Sequence, residues 1–487
     1  MKKMLKLKML AMCLIMLILL LPTAVLAQGV VSSEAEEHII SQLQRANIPN
    51  AAVAVIRDGE TTYILKDSNH DMLFGIGSVA KPFTAFGVLV LAEMGLLSVS
   101  DPINMHLPWF EARYNGEPVP HEDIRIYNLL QHTSGFTHDD RHFPNFRVET
   151  ANEFISLYSG IELAFYPSIG HNYSNANYIM LGILIEAVTG LTYDEFMTLY
   201  VLHPLGLYNT FTSLQNAHAT ERTIGGHQRA FFRQSPVDSE YSSILIPSGH
   251  IYSNITDMAR WTSIHLGLID VPEKFERVIQ RSQANFHIFI NPFAGFDYYH
   301  AAGGWLVWRD SGNIEHNGTT TGYFAVVRIS NADDTAVVIL GNLGVFGLTV
   351  TGLADIALDA VIHGVFDRVS VDFYVILDIV LSAAIIWGIF SLYKLIRLLI
   401  KTVNRIRGGE TIKYHGIKTK WLFDLVFAVV VLLAVYVILP NIFGLPVMLL
   451  IIVMPINFLI AIIFAWMDLA HSLFGLWTKA FLEPQTD

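Results

Sequence analysis

Three apolar runs in the last quarter of the chain, roughly Val371 to Tyr393, Trp421 to Pro440 and Pro446 to Met467, limit the architectures open to it. Each is near the ~20 residues needed to cross a bilayer as a helix, with every backbone N–H partnered inside the segment. Between the first two lie Lys394, Arg397, Lys401, Arg405, Arg407, Lys413, Lys418 and Lys420 against Glu410 alone. Basic residues beside spans stay in the cytoplasm. That loop is therefore expected inside, as is a tail from 471 to 487, and the region before the first span outside. Asp378 and Asn457 fall within the expected spans, where a helix-packing or interfacial place is the simpler account than a functional one.

The amino terminus points to the same topology. Lys2, Lys3, Lys6 and Lys8 precede an apolar run from Met9 to Leu21, then Pro22 and Val25-Leu26-Ala27. This is the three-part signature of a secretory signal over residues 1–27, cut after Ala27. Cys13, the single cysteine, lies inside that run, so the mature chain is expected to contain no disulfide and no zinc site of the paired-cysteine kind. Charge is segregated too: residues 28–367 carry 17 basic and 36 acidic side chains, whereas the whole chain sums to -12. So acidic a region argues against nucleic acid as a partner. At 52% hydrophobic residues the chain cannot be disordered.

In the outward region, 28–367, Ala51 to Ile56 and Thr61 to Leu65 read as a β-hairpin turned by Asp58-Gly59. Tyr323 to Ser330 and Ala336 to Gly341 read as a second, joined by Asn331 to Asp334. Helical and loop segments fill the interval. The expectation is an α+β domain, an antiparallel sheet built from both ends of the region around a helical insert, followed by three transmembrane helices.

The chemistry begins at Gly75-Ile-Gly-Ser78-Val-Ala-Lys81-Pro82. An apolar pattern from Phe83 to Met94, stopped by Gly95, predicts a helix. Ser78 then sits at its start, facing the positive end of the dipole, and Lys81 returns to the same face one turn on. A serine beside a desolvated amine is a nucleophile with its base; a capping serine with a surface lysine is the plainer alternative. Tyr173-Ser174-Asn175 opens a second helix, Asn177 to Thr189 closed by Gly190, and Glu315-His316-Asn317-Gly318 leads into the strand at Tyr323.

With these three elements the chain resembles the serine β-lactamase and penicillin-binding protein superfamily, in particular its class C β-lactamase-like branch. Asn128-Leu-Leu-Gln-His-Thr-Ser-Gly135, His203-Pro-Leu-Gly-Leu-Tyr-Asn-Thr210 and Ser253-Asn-Ile-Thr-Asp-Met-Ala-Arg-Trp261 extend the resemblance over about 35–365. It implies a mixed α/β sandwich and an acyl-enzyme at Ser78, with Lys81 or Tyr173 as base and Tyr173 returning a proton to the leaving group. Asn175 would bind Lys81 and the substrate amide, and the backbone N–H groups of Ser78 and Thr319, beside Gly318, would form the oxyanion hole. His316 stands where many β-lactamases carry lysine, which makes penicillin hydrolysis less expected. Gly249-His250 replaces a paired glycine, and His250 is either a substrate contact or an ordinary loop residue. No cofactor or metal is expected; His138-Asp-Asp-Arg-His142 has metal-ligand letters but lacks ligand spacing and reads as a solvated loop.

The combined architecture is similar to membrane-bound peptidases that mature prodrug antibiotics of the colibactin and zwittermicin kind. That implies a D-stereospecific peptidase on peptide or N-acyl-D-amino acid substrates in the cytoplasmic membrane, its catalytic domain outside, with an export transporter as a partner. An esterase or β-lactamase of the same fold, and a non-catalytic membrane sensor with a vestigial site, are the alternatives.

Overall fold

The computed structural model describes residues 31–136, 148, 150–230, 233–238, 242–283, 298–301, 303–308, 311–344, 348–367, 372–408, 426, 429–430 and 456–481. The expected signal at 1–27, the histidine- and aspartate-containing stretch 138–142 and nearly all of the expected span 421–440 lie outside them.

The hairpin read from Asp58-Gly59 joins β1 (Ala51–Arg57) to β2 (Glu60–Lys66), with Arg57 opposite Glu60. Both turn residues have positive φ, +52° at Asp58 and +79° at Gly59, as a two-residue turn needs to match the strands' twist. Five further strands come from the far end: β3 (Tyr298–His300), β4 (Leu306–Trp308), β5 (Ile314–Thr320), β6 (Tyr323–Ser330) and β7 (Thr335–Gly341). The sheet order is β3-β4-β5-β6-β7-β1-β2, antiparallel throughout. The two ends of the domain thus meet at β1 and β7, as the two hairpins predicted.

Both faces of the sheet are covered, which is why β1 reads Ala-Ala-Val-Ala-Val-Ile without alternation and is buried along that run. Ala51, Val53, Val55, Phe324, Val326, Val337 and Ile339 face an outer layer of α1 (Ser33–Arg45) and α7 (Leu348–Ile362). Ala52, Ala54, Ile56, Ala325, Val327 and Val338 face the helical insert. That insert centres on α2 (Ala80–Glu93), α3 (Asn175–Thr189), the short α4 (Ile246–Gly249), α5 (Ile255–His265) and α6 (Glu273–Gln283). Helices α2 and α3 are buried nearly all round, so the apolar pattern that placed them has no polar face. Both end where glycine was expected to stop them, at Gly95 and Gly190, each with φ above +70°.

After α7 the chain continues into α8 (Asp372–Arg407) and, further on, α9 (Ile456–Phe481). α8 runs past the expected boundary at 393, and α9 passes through the one at 470. Among the described residues no single helix is long and apolar enough to cross a membrane. The two pack in parallel: Gly388 admits Phe464, Ser391 donates to Asp468, and Gly475 lies against Leu398.

Ile56 is fully buried between sheet and insert. Its replacement by alanine removes three buried carbons, and Ile56→Ala should destabilise the domain by about 2–5 kcal/mol in urea unfolding of the purified protein. A loss below about 1 kcal/mol, no more than Ile→Val can cost, would show that the insert does not close on this face.

Candidate active site

Ser78 lies in a single 3-10 turn, Gly77–Val79, that leads into α2, so it precedes the helix proper by two residues. Gly77 holds φ at +53°. A Cβ there would come within 2.5 Å of the Thr319 amide nitrogen and 2.6 Å of the Gly318 carbonyl carbon. Seen from the strand, a Cβ on Gly318 would overlap the Ile76 carbonyl oxygen and stand 2.6 Å from the Ser78 amide nitrogen. Two glycines therefore let β5 and the Ser78 turn touch backbone to backbone. This close approach brings the amides of Ser78 and Thr319 to one place. Gly249 approaches from α4, 3.9 Å from the Ser78 amide nitrogen when given a Cβ.

Lys81, on the first turn of α2, is fully buried. Its Nζ is 3.0 Å from Ser78 Oγ, 2.8 Å from Asn175 Oδ1 and 2.5 Å from the Ser248 carbonyl oxygen. Burial pushes its pKa well below the usual lysine range. A neutral amine has two N–H bonds and one lone pair. Asn175 and Ser248 offer acceptors for the two hydrogens, which leaves the lone pair for the Ser78 hydroxyl. That environment is built from several elements. Thr84, one turn along α2, donates to the Pro247 carbonyl at 2.7 Å, and Gly182 of α3 makes room for the Pro247 ring. Together they fix α4, and with it the Ser248 carbonyl, against α2.

Tyr173 and Asn175 flank Ser174, the residue that caps α3. The Nζ of Lys81 lies 4.7 Å from the Tyr173 ring centre and 5.7 Å from that of Tyr178. His316 is buried on β5, and its Nδ1 is 2.7 Å from the Asn317 carbonyl oxygen. A carbonyl can only accept, so Nδ1 carries the hydrogen and Nε2 the lone pair. Burial first, and Lys81 second, push its pKa down to about 3. The half-buried His250, directly after Gly249, is lowered to about 3 by the same two causes in the same order. Both histidines are neutral at physiological pH, and the lowered charge expected of His316 relative to a lysine is realised as none.

The predicted residues thus meet: Ser78, Lys81 and Asn175 in direct contact, Tyr173 beside Lys81, and Gly318 and Thr319 against the Ser78 turn. Not foreseen were the Ser248 carbonyl, Gly77 as the partner of Gly318, and the network behind Tyr173. There Gln131, His132, Thr133 and Ser134, four successive polar residues, are all buried. That run was visible in Asn128–Gly135, and its signal was polarity inside an otherwise apolar stretch. No group of histidine, cysteine and carboxylate side chains able to hold a metal occurs among the described residues.

A sequence profile of the family described as Beta-lactamase matches residues 35–360, two thirds of the chain. The chain belongs to this family. Protein flp of Staphylococcus aureus (strain MW2) is 27% identical over 320 residues, 62% of this chain and 61% of flp. The match thus spans about three fifths of that relative's length. Penicillin-binding protein 4* of Bacillus subtilis (strain 168) is 30% identical over 148 residues, 28% of this chain and 30% of that protein. Among solved structures, the octameric penicillin-binding protein homologue from Pyrococcus abyssi superposes with a TM-score of 0.58 at 21% identity, covering 67% of this chain and 76% of that one. A class C beta-lactamase superposes at 0.57 and 16% identity over 67% and 96%. These likenesses identify the β-lactamase and penicillin-binding protein fold, and the Beta-lactamase family is one of serine hydrolases.

The Gly318 contact is directly testable. Gly318→Ala forces β5 away from the Ser78 turn, so if the amides of Ser78 and Thr319 form the expected oxyanion hole, acylation at Ser78 should slow by about 10²–10³-fold. Rapid-mixing kinetics with a chromogenic ester would measure it. An unchanged rate would mean that the two amides do not share an oxyanion.

Proposed function

We propose that the protein is a membrane-anchored extracytoplasmic serine hydrolase working through an acyl-enzyme at Ser78. Its favoured substrates are peptide or N-acyl-D-amino acid amides, as for a D-stereospecific peptidase or amidohydrolase. The observation that carries this proposal is the buried Lys81 Nζ, 3.0 Å from Ser78 Oγ and accepted by Asn175 and the Ser248 carbonyl. A lysine kept from water has lost most of its reason to stay charged, and a neutral amine can take the serine proton, directly or by way of the Tyr173 phenol beside it, as Oγ attacks a carbonyl. The carbonyl oxygen, gaining negative charge, turns toward the amides of Ser78 and Thr319. As the carbon–nitrogen bond breaks, the proton taken from Ser78 reaches the leaving amine by way of Lys81 or the Tyr173 phenol. Water then gives a proton to the same groups and adds to the acyl carbon; the bond from that carbon to Ser78 Oγ breaks, Oγ takes the proton back, and the acid leaves. Asn175, held by Lys81, is placed to meet the substrate amide.

An esterase is the second candidate, favoured by the neutral His316, which offers no fixed charge to a substrate carboxylate. Rapid turnover of p-nitrophenyl esters without cleavage of D-amino acid amides would select it. A vestigial site in a non-catalytic sensor fits less well, since a fully buried lysine costs desolvation that a binding module has no need to bear.

Membrane anchoring draws support from α8 and α9. On α8, Ile386, Trp387, Ile389, Phe390 and Tyr393 are exposed large apolar side chains, as a lipid-facing surface would be. Two parallel neighbouring helices also need an odd number of crossings in the chain between the start of one and the end of the other, which three spans supply. The basic loop and the amino-terminal signal in the sequence support a catalytic domain outside, where an exporter could deliver substrate to it.

A membrane-impermeant fluorophosphonate applied to intact cells tests both parts together. The full-length protein should acquire one covalent adduct, lost in Ser78→Ala; labelling only after lysis would reverse the topology, and no labelling in either case would remove the proposed nucleophile. The pH dependence has a worked sign. Burial holds Lys81 well below the usual lysine range, so labelling of the purified protein should rise with pH along one limb centred below that range as the amine loses its proton. His250 and His316 titrate near 3, so neither should add a break between pH 5 and 8. The absence of any such limb below the usual lysine range would assign the base elsewhere.

A further inference from the structure

His132 stands behind the site, on the turn that follows the short helix Ile126–Leu130. It is buried, and it holds φ at +58°, a left-handed conformation uncommon for residues other than glycine. Such a conformation persists only where the surroundings impose it, and here they converge on one imidazole. The amide of Ser174 donates to His132 Nδ1 at 3.2 Å. A backbone N–H can only donate, so Nδ1 must carry a lone pair. Asn177 confirms the assignment: its Oδ1 accepts from the Ser134 hydroxyl at 2.7 Å, which turns its Nδ2 toward the same Nδ1 at 3.0 Å. The backbone of His132 is used as well, since its carbonyl accepts from the Asn172 amide at 3.0 Å. Both ends of the segment 172–174 are thereby hung on one residue.

The ring itself lies against Tyr173, with centroids 4.4 Å apart and planes 32° from parallel, and within 5.3 Å of the Tyr178 ring. Tyr173 is thus held between the His132 ring and the Lys81 ammonium or amine, 4.7 Å from its centre. The turn carrying His132 is in turn fixed by Asn128, whose Oδ1 accepts from the Arg125 amide and whose Nδ2 donates to Thr133 Oγ1 and Ser168 Oγ.

We propose that His132 is the positioning residue for Tyr173: as a neutral imidazole that accepts the Ser174 amide at Nδ1 and supports the phenol ring with its face, it sets where the Tyr173 hydroxyl stands relative to Ser78 and Lys81. It forms no bond with substrate and acts only through Tyr173. The proposal rests on the role given to Tyr173 in proton transfer, and the test separates the two.

The rate of fluorophosphonate labelling of the full-length protein is measured for wild type, Tyr173→Phe, His132→Ala, His132→Asn and the two double variants, with thermal unfolding recorded for each. Tyr173→Phe should be slower by about 10²–10⁴-fold, the usual worth of a placed acid or base. His132→Ala should be slower by about 10²-fold, the effect of a misplacement of about 1 Å. His132→Asn retains an acceptor at the position of Nδ1 and tolerates the left-handed backbone, but lacks the ring face, so its rate should fall between wild type and His132→Ala. In the Tyr173→Phe background neither His132 substitution should slow labelling further, because the group it positions is already gone. Losses that multiply in the double variants would make His132 a general support and overturn the proposal, as would a wild-type rate in folded His132→Ala. Should that variant fail to fold, the Asn pair decides by the same criterion. A wild-type rate in Tyr173→Phe would instead overturn the role of Tyr173, and the proposal with it.

Discussion

Burial of one amine organises the whole domain. Lys81 has no exposed surface, and each of its three polar partners comes from a different part of the chain: Ser78 from its own helix entry, Asn175 from α3, and the Ser248 carbonyl from α4. An isolated lysine in that position would be intolerable as a cation. Three polar partners within 3.0 Å, together with a pKa lowered by burial, make it tolerable. Those partners fix the relative placement of α2, α3 and α4 to within a hydrogen bond. This requirement explains why α2 and α3 have no polar face: they must surround the amine and exclude water from it on all sides. The same desolvation that lowers the pKa of Lys81 makes its burial costly.

The second constraint is the approach of β5 to the Ser78 turn. Strand edges normally stand away from neighbouring backbone by the thickness of a side chain. Gly318 and Gly77 remove that thickness from both partners. Only then can an amide from the sheet and an amide from the helical insert reach one oxygen atom. The meeting of the two parts of the domain is thus shaped by what is missing at two positions, and His250 and His316 beside it are held neutral by burial and by Lys81.

The fold was legible where one local rule governs. Asp58-Gly59 specifies a tight hairpin through its own φ values, and Gly95 and Gly190 end helices for the same reason. Ser78, Lys81, Tyr173, Asn175 and Gly318 were legible because three short motifs together resemble those of a known superfamily, whereas the Ser78–Lys81 spacing alone reads as a helix cap and a surface lysine. What sequence spacing did not expose was contact across long separations. Ser248 contributes a carbonyl, which every residue possesses, so no residue type could mark it. Gly77 looked like one more loop glycine until β5 came to rest on it. His132 lay in a stretch singled out for its resemblance rather than its chemistry, and its meaning depends on a tilted ring contact with a residue 41 positions away in the chain.

The segment that leads to α8 and the site occupy opposite faces of the sheet. Ser78 lies on the side of the helical insert, whereas α1 and α7 cover the other face and α7 leads toward α8. That outer layer is bound to the sheet by polar contacts as well as packing. Arg328 of β6 reaches both Glu315 beside it on β5 and Asp355 of α7, Arg57 donates to the Val361 carbonyl at 2.7 Å, and His38 of α1 bonds the Asp367 carbonyl at 2.7 Å. The segment that leaves the domain is therefore held against the outer layer up to its last residues, and it departs with the whole sheet between it and Ser78. On the proposed topology the cleft need not open toward the lipid. Substrate can approach from the aqueous side while α8 fixes the domain, and a transporter contact at the membrane would not have to pass through the catalytic groups.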